Sequence, residues 1–236
     1  MRTRPIVAID GPAGAGKSTV ARRLADALAY VLVDTGAMYR AVALAAQRAE
    51  VAWSDGPRLA ELASGLVAKN ALSFERDPGL GIRVKLRGAH DGVVEDISEA
   101  IRTPDMAQGA STVSAHPEVR TVLLALQRMA GRSGGVVLEG RDIGTVVFPD
   151  AEVKFFLTAS ADVRASRRHA ELVAKGQGTT LEETLADVKR RDAQDEGRAV
   201  APLKQAEGAT LVDSTELSFE ETVARMLAEV RRVSGA

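Results

Sequence analysis

The amino-acid sequence predicts an α/β fold, with a five-stranded parallel sheet that has helices on both faces, a small antiparallel β insert and a helical segment toward the C-terminus. Short apolar segments alternate with longer segments of helical periodicity, which is typical of parallel strands connected by helices. The apolar segments lack polar alternation, which indicates strands buried on both faces. The 236 residues, 45% of them hydrophobic, suffice for one large core or two smaller ones.

Five segments are predicted to form the parallel sheet. The first is Pro5–Asp10, an unbroken apolar run that ends in an aspartate. The others are Val31–Asp34, Val136–Glu139, Val153–Thr158 and Thr210–Asp213. Because none of them alternates polar and apolar residues, all five are expected to be buried.

Helices between these strands are predicted from periodicity and capping residues. From Lys17 to Ala29, apolar residues recur at every fourth position and indicate one buried face. Thr35 is expected to cap a helix that begins at about Ala37. Two other helix starts match the capping box, in which a hydroxyl residue precedes a glutamate by three positions: Thr180 with Glu183, and Ser218 with Glu221.

The segment from about 71 to 97 departs from the alternation of strands and helices and is predicted to form three antiparallel strands. The candidate strands are Ala71–Glu75, Ile82–Leu86 and Gly92–Val94, separated by turn-forming residues at 77–79 and 88–91. In the middle strand apolar residues alternate with basic ones, which indicates one buried and one solvated face.

Composition excludes several classes of partner and site. The chain has 31 Lys and Arg residues against 32 Asp and Glu residues, a net charge of -1, so no overall positive field attracts nucleic acid or an anionic membrane. No apolar stretch approaches the ~20 residues that a bilayer span needs, and the N-terminal apolar run is too short for a signal peptide. The absence of cysteine excludes disulfides and thiolate metal sites. We expect a cytoplasmic protein with no nucleic-acid or membrane partner.

The most specific motif lies between the first predicted strand and the first predicted helix. The residues Gly11-Pro12-Ala13-Gly14-Ala15-Gly16-Lys17-Ser18 match the Walker A pattern and are followed by Thr19. The glycines let main-chain N–H groups point at phosphate oxygens, at the positive end of the helix dipole. Lys17 is expected to reach the β- and γ-phosphates, Ser18 to bind Mg²⁺ and Thr19 to contact the α-phosphate side. The motif predicts a P-loop NTPase fold.

The rest of the sequence narrows the class of P-loop protein. A GTPase switch carries Asp-x-x-Gly and Asn-Lys-x-Asp elements, but Asn70 is the only asparagine and no aspartate has glycine three positions later. Two polar clusters, around Arg40 and Arg141, follow predicted strands at the sheet edge where the P-loop lies. A kinase of a small molecule is the class that remains.

Four stretches together resemble the bacterial cytidylate kinases. They are Ile9–Thr19, Asp34–Arg40, Gly140–Pro149 and Arg198–Leu203, and they extend over nearly the whole chain. Walker A occurs in many families, whereas the other three stretches in this order are far more specific. The chain departs from many relatives at Glu139, where Asp is usual, and has Thr35 where Ser is also familiar.

The resemblance implies a function and a domain arrangement. The function is ATP-dependent phosphorylation of CMP and dCMP to CDP and dCDP with Mg²⁺, a step of pyrimidine nucleotide metabolism. The arrangement is a core of residues 1–36, 125–161 and 199–236, a nucleoside-monophosphate-binding domain of residues 37–124 that includes the insert, and a mobile lid of residues 162–198.

The resemblance also assigns roles to individual residues. Those that would bind the monophosphate substrate are Thr35, Tyr39, Arg40, Ser111, Arg120, Arg141, Asp142, Arg191, Asp195 and Arg198. Those that would act in catalysis are Lys17, Arg141, Arg191 and Arg198. In the lid, some of Arg164, Arg167 and Arg168 would reach the phosphates of ATP.

The assigned base readers, Ser111, Arg120 and Asp142, suit cytosine. Its exocyclic amine is a donor for a carboxylate such as that of Asp142, and its N3 and O2 are acceptors for a guanidinium such as that of Arg120. Uracil presents O4 and N3–H instead, which inverts the pattern and disfavours UMP.

Two other interpretations stay open on the sequence. A P-loop kinase of another substrate, such as dephospho-coenzyme A or UMP, has the same loop without the base readers, and a nucleotide-binding regulator has Lys17 without turnover. His90, His116 and His169 lie far apart and are expected to be surface or structural residues rather than metal ligands. No apolar helix face demands a partner, so a monomer is expected.

Overall fold

The computed structural model of the chain describes residues 2, 4–77, 81–88, 92–174 and 176–235. Internal contacts divide the chain into two compact units. Unit 1 contains residues 1–31 and 133–236, and unit 2 contains residues 32–132. In the described part of the chain, no helix is both long and apolar enough to span a bilayer.

Strands and helices alternate in unit 1, whereas unit 2 is mainly helical. The strands are β1 (Ile6–Asp10), β2 (Val31–Asp34), β3 (Leu72–Asp77), β4 (Gly81–Arg87), β5 (Val94–Asp96), β6 (Val136–Gly140), β7 (Val153–Thr158) and β8 (Thr210–Asp213). The α-helices are α1 (Lys17–Leu28), α2 (Thr35–Arg48), α3 (Gly56–Ala68), α4 (Pro104–Val113), α5 (Pro117–Gly131), α6 (Ala161–Ala174), α7 (Leu181–Glu196) and α8 (Phe219–Ser234). A 3-10 turn spans Ala100–Arg102 and a π-helical turn spans Ile143–Val147.

The parallel sheet has the strand order β2-β6-β1-β7-β8, which confirms the predicted five-stranded α/β architecture. The central strand β1 pairs in parallel with β6 and β7, and β7 pairs in parallel with β8. Residues 6–9 are completely buried. The expectation that all five strands are buried is wrong for the outer two, since Val31 is 55% and Leu211 49% exposed. An outer strand has a neighbour on one side only, so part of it stays in water.

The helix starts agree with the sequence except at α2. Both predicted capping boxes are present, at Thr180 with Glu183 and at Ser218 with Glu221. Helix α2, however, begins at Thr35, and its cap is Asp34, whose carboxylate accepts a hydrogen bond from the N–H of Ala37 at 2.8 Å. The prediction that Thr35 is the cap is therefore wrong: the acceptor is the preceding residue, which ends β2 in an extended conformation.

The insert of unit 2 is an antiparallel sheet of three strands in the order β3-β4-β5, as predicted. Val84 and Leu86 are buried, whereas Arg87 is exposed, which confirms the amphipathic middle strand. The third strand is displaced from the predicted Gly92–Val94 to Val94–Asp96, where Asp96 forms an ion pair of 2.9 Å with Arg83 of β4. Residues 78, 79 and 89–91 of the predicted turns lie outside the described residues.

Candidate active site

The Walker A residues form a tight turn between β1 and α1 in unit 1. Gly11 packs so closely that a Cβ atom would lie 1.9 Å from the carbonyl oxygen of Leu157 in β7, so only glycine fits. Gly16 has a φ of 83°, in the left-handed region that favours glycine, and it precedes α1 without a capping side chain. The main-chain amides at the start of α1 therefore suit an anionic ligand.

Lys17 is a buried cation at the base of this loop. Its Nζ donates a hydrogen bond to the carbonyl oxygen of Pro12 at 2.8 Å, and only 7% of the residue is exposed. Burial lowers the pKa of Lys17 well below its usual value and the Arg141 charge lowers it further, whereas Glu139 and Asp195 act in the opposite direction. A bound phosphate would favour the charged form, because an opposite charge raises the pKa of an amine.

Ser18 contacts a carboxylate that the sequence did not single out as a ligand. Its hydroxyl donates to Oε2 of Glu139 at 2.8 Å, and Glu139 is 5% exposed near the end of β6. The register of the sheet explains the contact, since Ile9 of β1 pairs with Glu139 just before the P-loop begins. A hydroxyl beside a carboxylate offers the hard oxygen donors that Mg²⁺ prefers. The sequence signal that could have pointed to Glu139 is its position as an acidic residue near the end of the neighbouring strand.

Three of the predicted arginines converge on one carboxylate in unit 1. Asp195 of α7 accepts hydrogen bonds from Arg141 at 2.6 Å and from Arg198, and it is 3% exposed. Burial raises the pKa of Asp195, but the Arg141 and Arg198 charges outweigh it and hold the pKa below the usual value. Arg191 lies in the same environment, where burial and then the Arg141 charge lower its pKa to about 10. These four residues are called the arginine cluster below.

Asp142 begins the turn that follows Arg141, and Asp10 holds that turn. Asp142 is buried, and its carbonyl oxygen accepts from the N–H groups of Val146 and Val147. The carboxylate of Asp10, at the end of β1, accepts from the N–H groups of Ile143 and Gly144, both at 2.8 Å. Burial raises the pKa of Asp10 to about 6, even though these two hydrogen bonds act against the shift. The last residue of β1 therefore fixes the turn that carries Asp142.

The arginines of the predicted lid bind protein groups. Arg164 of α6 is buried and donates to the carbonyl oxygens of Ala13 at 2.9 Å and Ala159 at 2.8 Å, and it forms an ion pair of 2.7 Å with Asp192. Arg167 donates to the hydroxyl and carbonyl oxygens of Ser214 at 3.0 Å and 2.8 Å. Arg168 forms an exposed pair of 3.2 Å with Glu171. Arg164 therefore links the P-loop main chain to α6 and α7.

The remaining predicted site residues belong to unit 2. Arg40 and Asp34 form an ion pair of 2.8 Å at the start of α2, beside the buried Thr35. Burial raises the pKa of Asp34, but Arg40 and the N–H of Ala37 lower it by more, so the carboxylate stays ionised. Tyr39, also buried, lies one residue before Arg40 on the same helix.

Arg120 and Ser111 lie on neighbouring helices of unit 2. Arg120 of α5 is 8% exposed, donates to the carbonyl oxygen of Ser114 at 3.2 Å, and lies with its guanidinium carbon 5.7 Å from the centre of the Tyr39 ring. Ser111 is half-buried on α4, and its carbonyl oxygen accepts from the Ser114 hydroxyl at 3.0 Å. The structure thus brings Tyr39 and Arg120 together, as a guanidinium on an aromatic face.

Histidines contribute no metal site in the described residues. Nε2–H of His116 donates to the carbonyl oxygen of Trp53 at 2.8 Å, which is the structural role expected for it. His169 is half-buried on α6, and His90 lies outside the described residues. Within the described ranges, no three His, Cys, Asp or Glu side chains are grouped as a metal site.

Comparisons with known proteins identify the family. The family model "Cytidylate kinase" matches residues 7–232. The cytidylate kinase of Geobacter sp. (strain M21) is 57% identical over 221 residues, which cover 94% of this chain and 90% of the relative. The cytidylate kinase of Lactiplantibacillus plantarum is 48% identical and covers 92% of this chain and 91% of its own.

Among solved structures, a shikimate kinase from Acinetobacter baumannii in complex with shikimate aligns with 99% of this chain and 95% of its own. Its sequence identity is 15% and its TM-score 0.43. The family assignment depends on the family model and on the identity to the curated relatives over nearly the full length. The chain belongs to the cytidylate kinase family.

Proposed function

We propose that this chain transfers the γ-phosphoryl group of ATP to CMP and dCMP, giving ADP with CDP or dCDP. The observation that carries the proposal is the match of the cytidylate kinase family to residues 7–232. The P-loop with Lys17 and the arginine cluster within one unit supports it, because both provide positive charge for phosphate groups.

The P-loop binds the donor. Main-chain N–H groups of residues 13–16 and of the start of α1 hold the phosphates, Thr19 contacts the α-phosphate side, and Lys17 reaches the β- and γ-phosphates. Ser18 and Glu139 would hold Mg²⁺, which fits their oxygen donors. The ion that these two residues would hold would supply positive charge to offset part of the phosphate charge.

The arginine cluster stabilises the transferred group. The attacking oxygen of CMP is already anionic near neutral pH, so the reaction needs no general base and the main obstacle is repulsion between two polyanions. Arg141, Arg191 and Arg198 offset this repulsion and stabilise charge on the equatorial oxygens of the transition state. Asp195 holds two of these guanidinium groups, those of Arg141 and Arg198, in place.

The monophosphate has separate proposed contacts for its base, its phosphate and its sugar. Asp142 accepts a hydrogen bond from the exocyclic amine of cytosine, and Arg120 donates hydrogen bonds to N3 and O2 of the base. Ser111 is the third residue that contacts the base. Thr35, Tyr39 and Arg40 line the phosphate side, and Arg191 and Asp195 contact the sugar. Residues 37–124 act as the monophosphate-binding domain, and residues 1–36, 125–161 and 199–236 form the core.

Residues 162–198 act as a lid that closes over both nucleotides. Closure excludes water, which is a competing acceptor, and brings its arginines in only when CMP is bound. The buried link from Arg164 to the P-loop carbonyl of Ala13 and to Asp192 supports this coupling, since it joins the phosphate loop to both lid helices. We further propose a cytoplasmic monomer.

A coupled ADP-release assay tests the proposal. With ATP and Mg²⁺, the acceptors CMP, dCMP, UMP, AMP, GMP and dTMP are compared at equal concentration. CMP and dCMP should give the highest kcat/KM, because cytosine alone among the tested bases combines an exocyclic amine for Asp142 with two adjacent acceptors, N3 and O2, for Arg120. Turnover with UMP or AMP alone, or with none of the six, would overturn it.

Asp142→Asn sharpens the same assay. An amide can offer either a donor or an acceptor, so the variant should lower the ratio of kcat/KM for CMP over UMP by about tenfold. Asp26→Asn, an exposed carboxylate on α1 of the same unit, is the charge-matched control and should leave the ratio unchanged. An unchanged ratio in Asp142→Asn would remove Asp142 from the base-reading role.

A further inference from the structure

Trp53 makes contacts that its position in the sequence does not suggest. It lies in the short connection between α2 and α3, where an aromatic residue would be expected only to fill the core. In unit 2, however, it contacts three different elements through three different parts of the residue: its indole N–H, its ring and its carbonyl oxygen.

The indole N–H fixes α2. Nε1 of Trp53 donates to the carbonyl oxygen of Ala43 at 3.0 Å. Ala43 lies one helical turn after Tyr39 and three residues after Arg40. The hydrogen bond therefore ties Trp53 to the helix whose first turns carry two residues of the proposed phosphate side.

The ring supports α4. Gly109 lies directly on the indole, so that a Cβ atom there would be 2.7 Å from Cζ2, 2.8 Å from Cε2 and 2.9 Å from Cη2 of Trp53. Real Cβ contacts are not that short, so the helix approaches the ring as closely as glycine allows. Ser111, a proposed base reader, follows two residues later on the same helix.

The carbonyl oxygen of Trp53 holds the start of α5. It accepts from Nε2–H of His116 at 2.8 Å, and His116 occupies the cap position of α5. The carbonyl oxygen of His116 in turn accepts from the N–H of Arg120 at 3.2 Å. The imidazole packs closely on Gly56 at the start of α3, where a Cβ atom would lie 2.7 Å from its Nδ1.

We propose that Trp53 is a positioning residue for the CMP-binding helices of unit 2. One side chain and its carbonyl fix α2, α4 and the start of α5, which carry Tyr39 and Arg40, Ser111 and Arg120. This inference rests on the proposed function of those residues and deepens it. Trp53 acts through them and is not itself a substrate contact.

A pair of glycine substitutions provides the test. Gly109→Ala inserts a methyl group against the ring and should displace α4, whereas Gly65→Ala in α3 meets nothing within 4 Å and is the matched control. We expect Gly109→Ala to raise the KM for CMP by about tenfold while the KM for ATP and kcat stay within about twofold. Gly65→Ala should leave all three parameters unchanged.

A size exchange distinguishes positioning from simple core filling. Trp53→Phe removes the outer part of the indole, so the double variant Trp53→Phe with Gly109→Ala should recover part of the CMP affinity that Gly109→Ala loses. If Gly109→Ala does not fold, Trp53→Phe alone still tests the hydrogen bond to Ala43 by its KM for CMP. His116→Gln, which keeps a donor near the position of Nε2, should retain a lower KM for CMP than His116→Phe.

The outcomes separate this inference from the proposed function. Wild-type protein that does not phosphorylate CMP would reject the proposed function itself. Wild-type activity on CMP, together with a lower melting temperature but an unchanged KM for CMP in Gly109→Ala and Trp53→Phe, would overturn the positioning role and leave Trp53 as a core residue. A rise in both the KM for CMP and the KM for ATP would overturn it too.

Discussion

The P-loop of unit 1 and the helices of unit 2 build their proposed sites in different ways. The P-loop is one continuous segment whose shape depends on glycines and whose donors are main-chain amides. The proposed monophosphate residues of unit 2 come from three helices between residues 35 and 120 and depend on side chains. A contiguous backbone site is specified by a short motif, whereas a site on several helices needs residues such as Trp53 that set the spacing.

The largest loss of activity is expected from substitution of Lys17, the charged side chain of the P-loop. Lys17→Ala should lower kcat by about 10²–10³-fold with little change in the KM for CMP, because we propose that Lys17 stabilises transition-state charge on the donor side. Steady-state kinetics with varied CMP measures both parameters, and Lys204→Ala, an exposed lysine of the same unit, is the control. A raised KM for CMP with a normal kcat in Lys17→Ala would contradict the assignment of catalysis to the P-loop and of CMP binding to unit 2.

Arg120→Ala is the corresponding change in unit 2. Removing a buried guanidinium that we propose to hydrogen-bond the base should raise the KM for CMP by between about tenfold and a hundredfold, with the KM for ATP within about twofold. The control is Arg128→Ala, an exposed arginine two turns later on α5. Kinetics in which both nucleotides are affected equally would show that Arg120 supports the fold rather than CMP binding.

A smaller, pH-dependent effect is expected from Asp10, which ties the turn of Asp142 to the P-loop strand. Burial raises its pKa from 3.8 to about 6, so between these values the folded protein binds more protons than the unfolded chain. The contribution of Asp10 to the free energy of unfolding therefore falls as the pH rises through this window and is constant above it.

Urea unfolding of wild type and Asp10→Asn at about pH 4.5 and about pH 7.5 measures this contribution. Relative to Asp10→Asn, the free energy of unfolding of the wild type should fall by about 2 kcal/mol from the lower to the higher pH. Taking the difference cancels the other carboxylates, such as Asp34 and Asp195, whose lowered pKa values act in the opposite direction. A difference that does not change with pH would contradict the raised pKa.

Much of the fold was predictable because it depends on local patterns. The bounds of β7 and β8, both capping boxes and the start of α1 follow from apolar runs and from spacing over a few residues. The cap of α2 was missed because Asp34 and Thr35 are both good caps, and only the backbone conformation at the end of β2 selects Asp34.

The parts of the site that could not be predicted depend on contacts between distant residues. Glu139 meets Ser18 because of the register between β1 and β6, across 121 positions of sequence. Trp53 meets Gly109 and His116 only after α4 and α5 have packed in unit 2. No periodicity or motif spacing encodes either contact, and the only signal for the first is the acidic residue near the end of β6.

Equilibrium binding of CMP without ATP tests most directly whether the two regions have separate tasks. Titration calorimetry with Lys17→Ala and Arg120→Ala compares one variant from each. We predict that Lys17→Ala binds CMP within about twofold of wild type and that Arg120→Ala binds it at least about tenfold more weakly. Loss of CMP binding in Lys17→Ala with normal binding in Arg120→Ala would contradict that division.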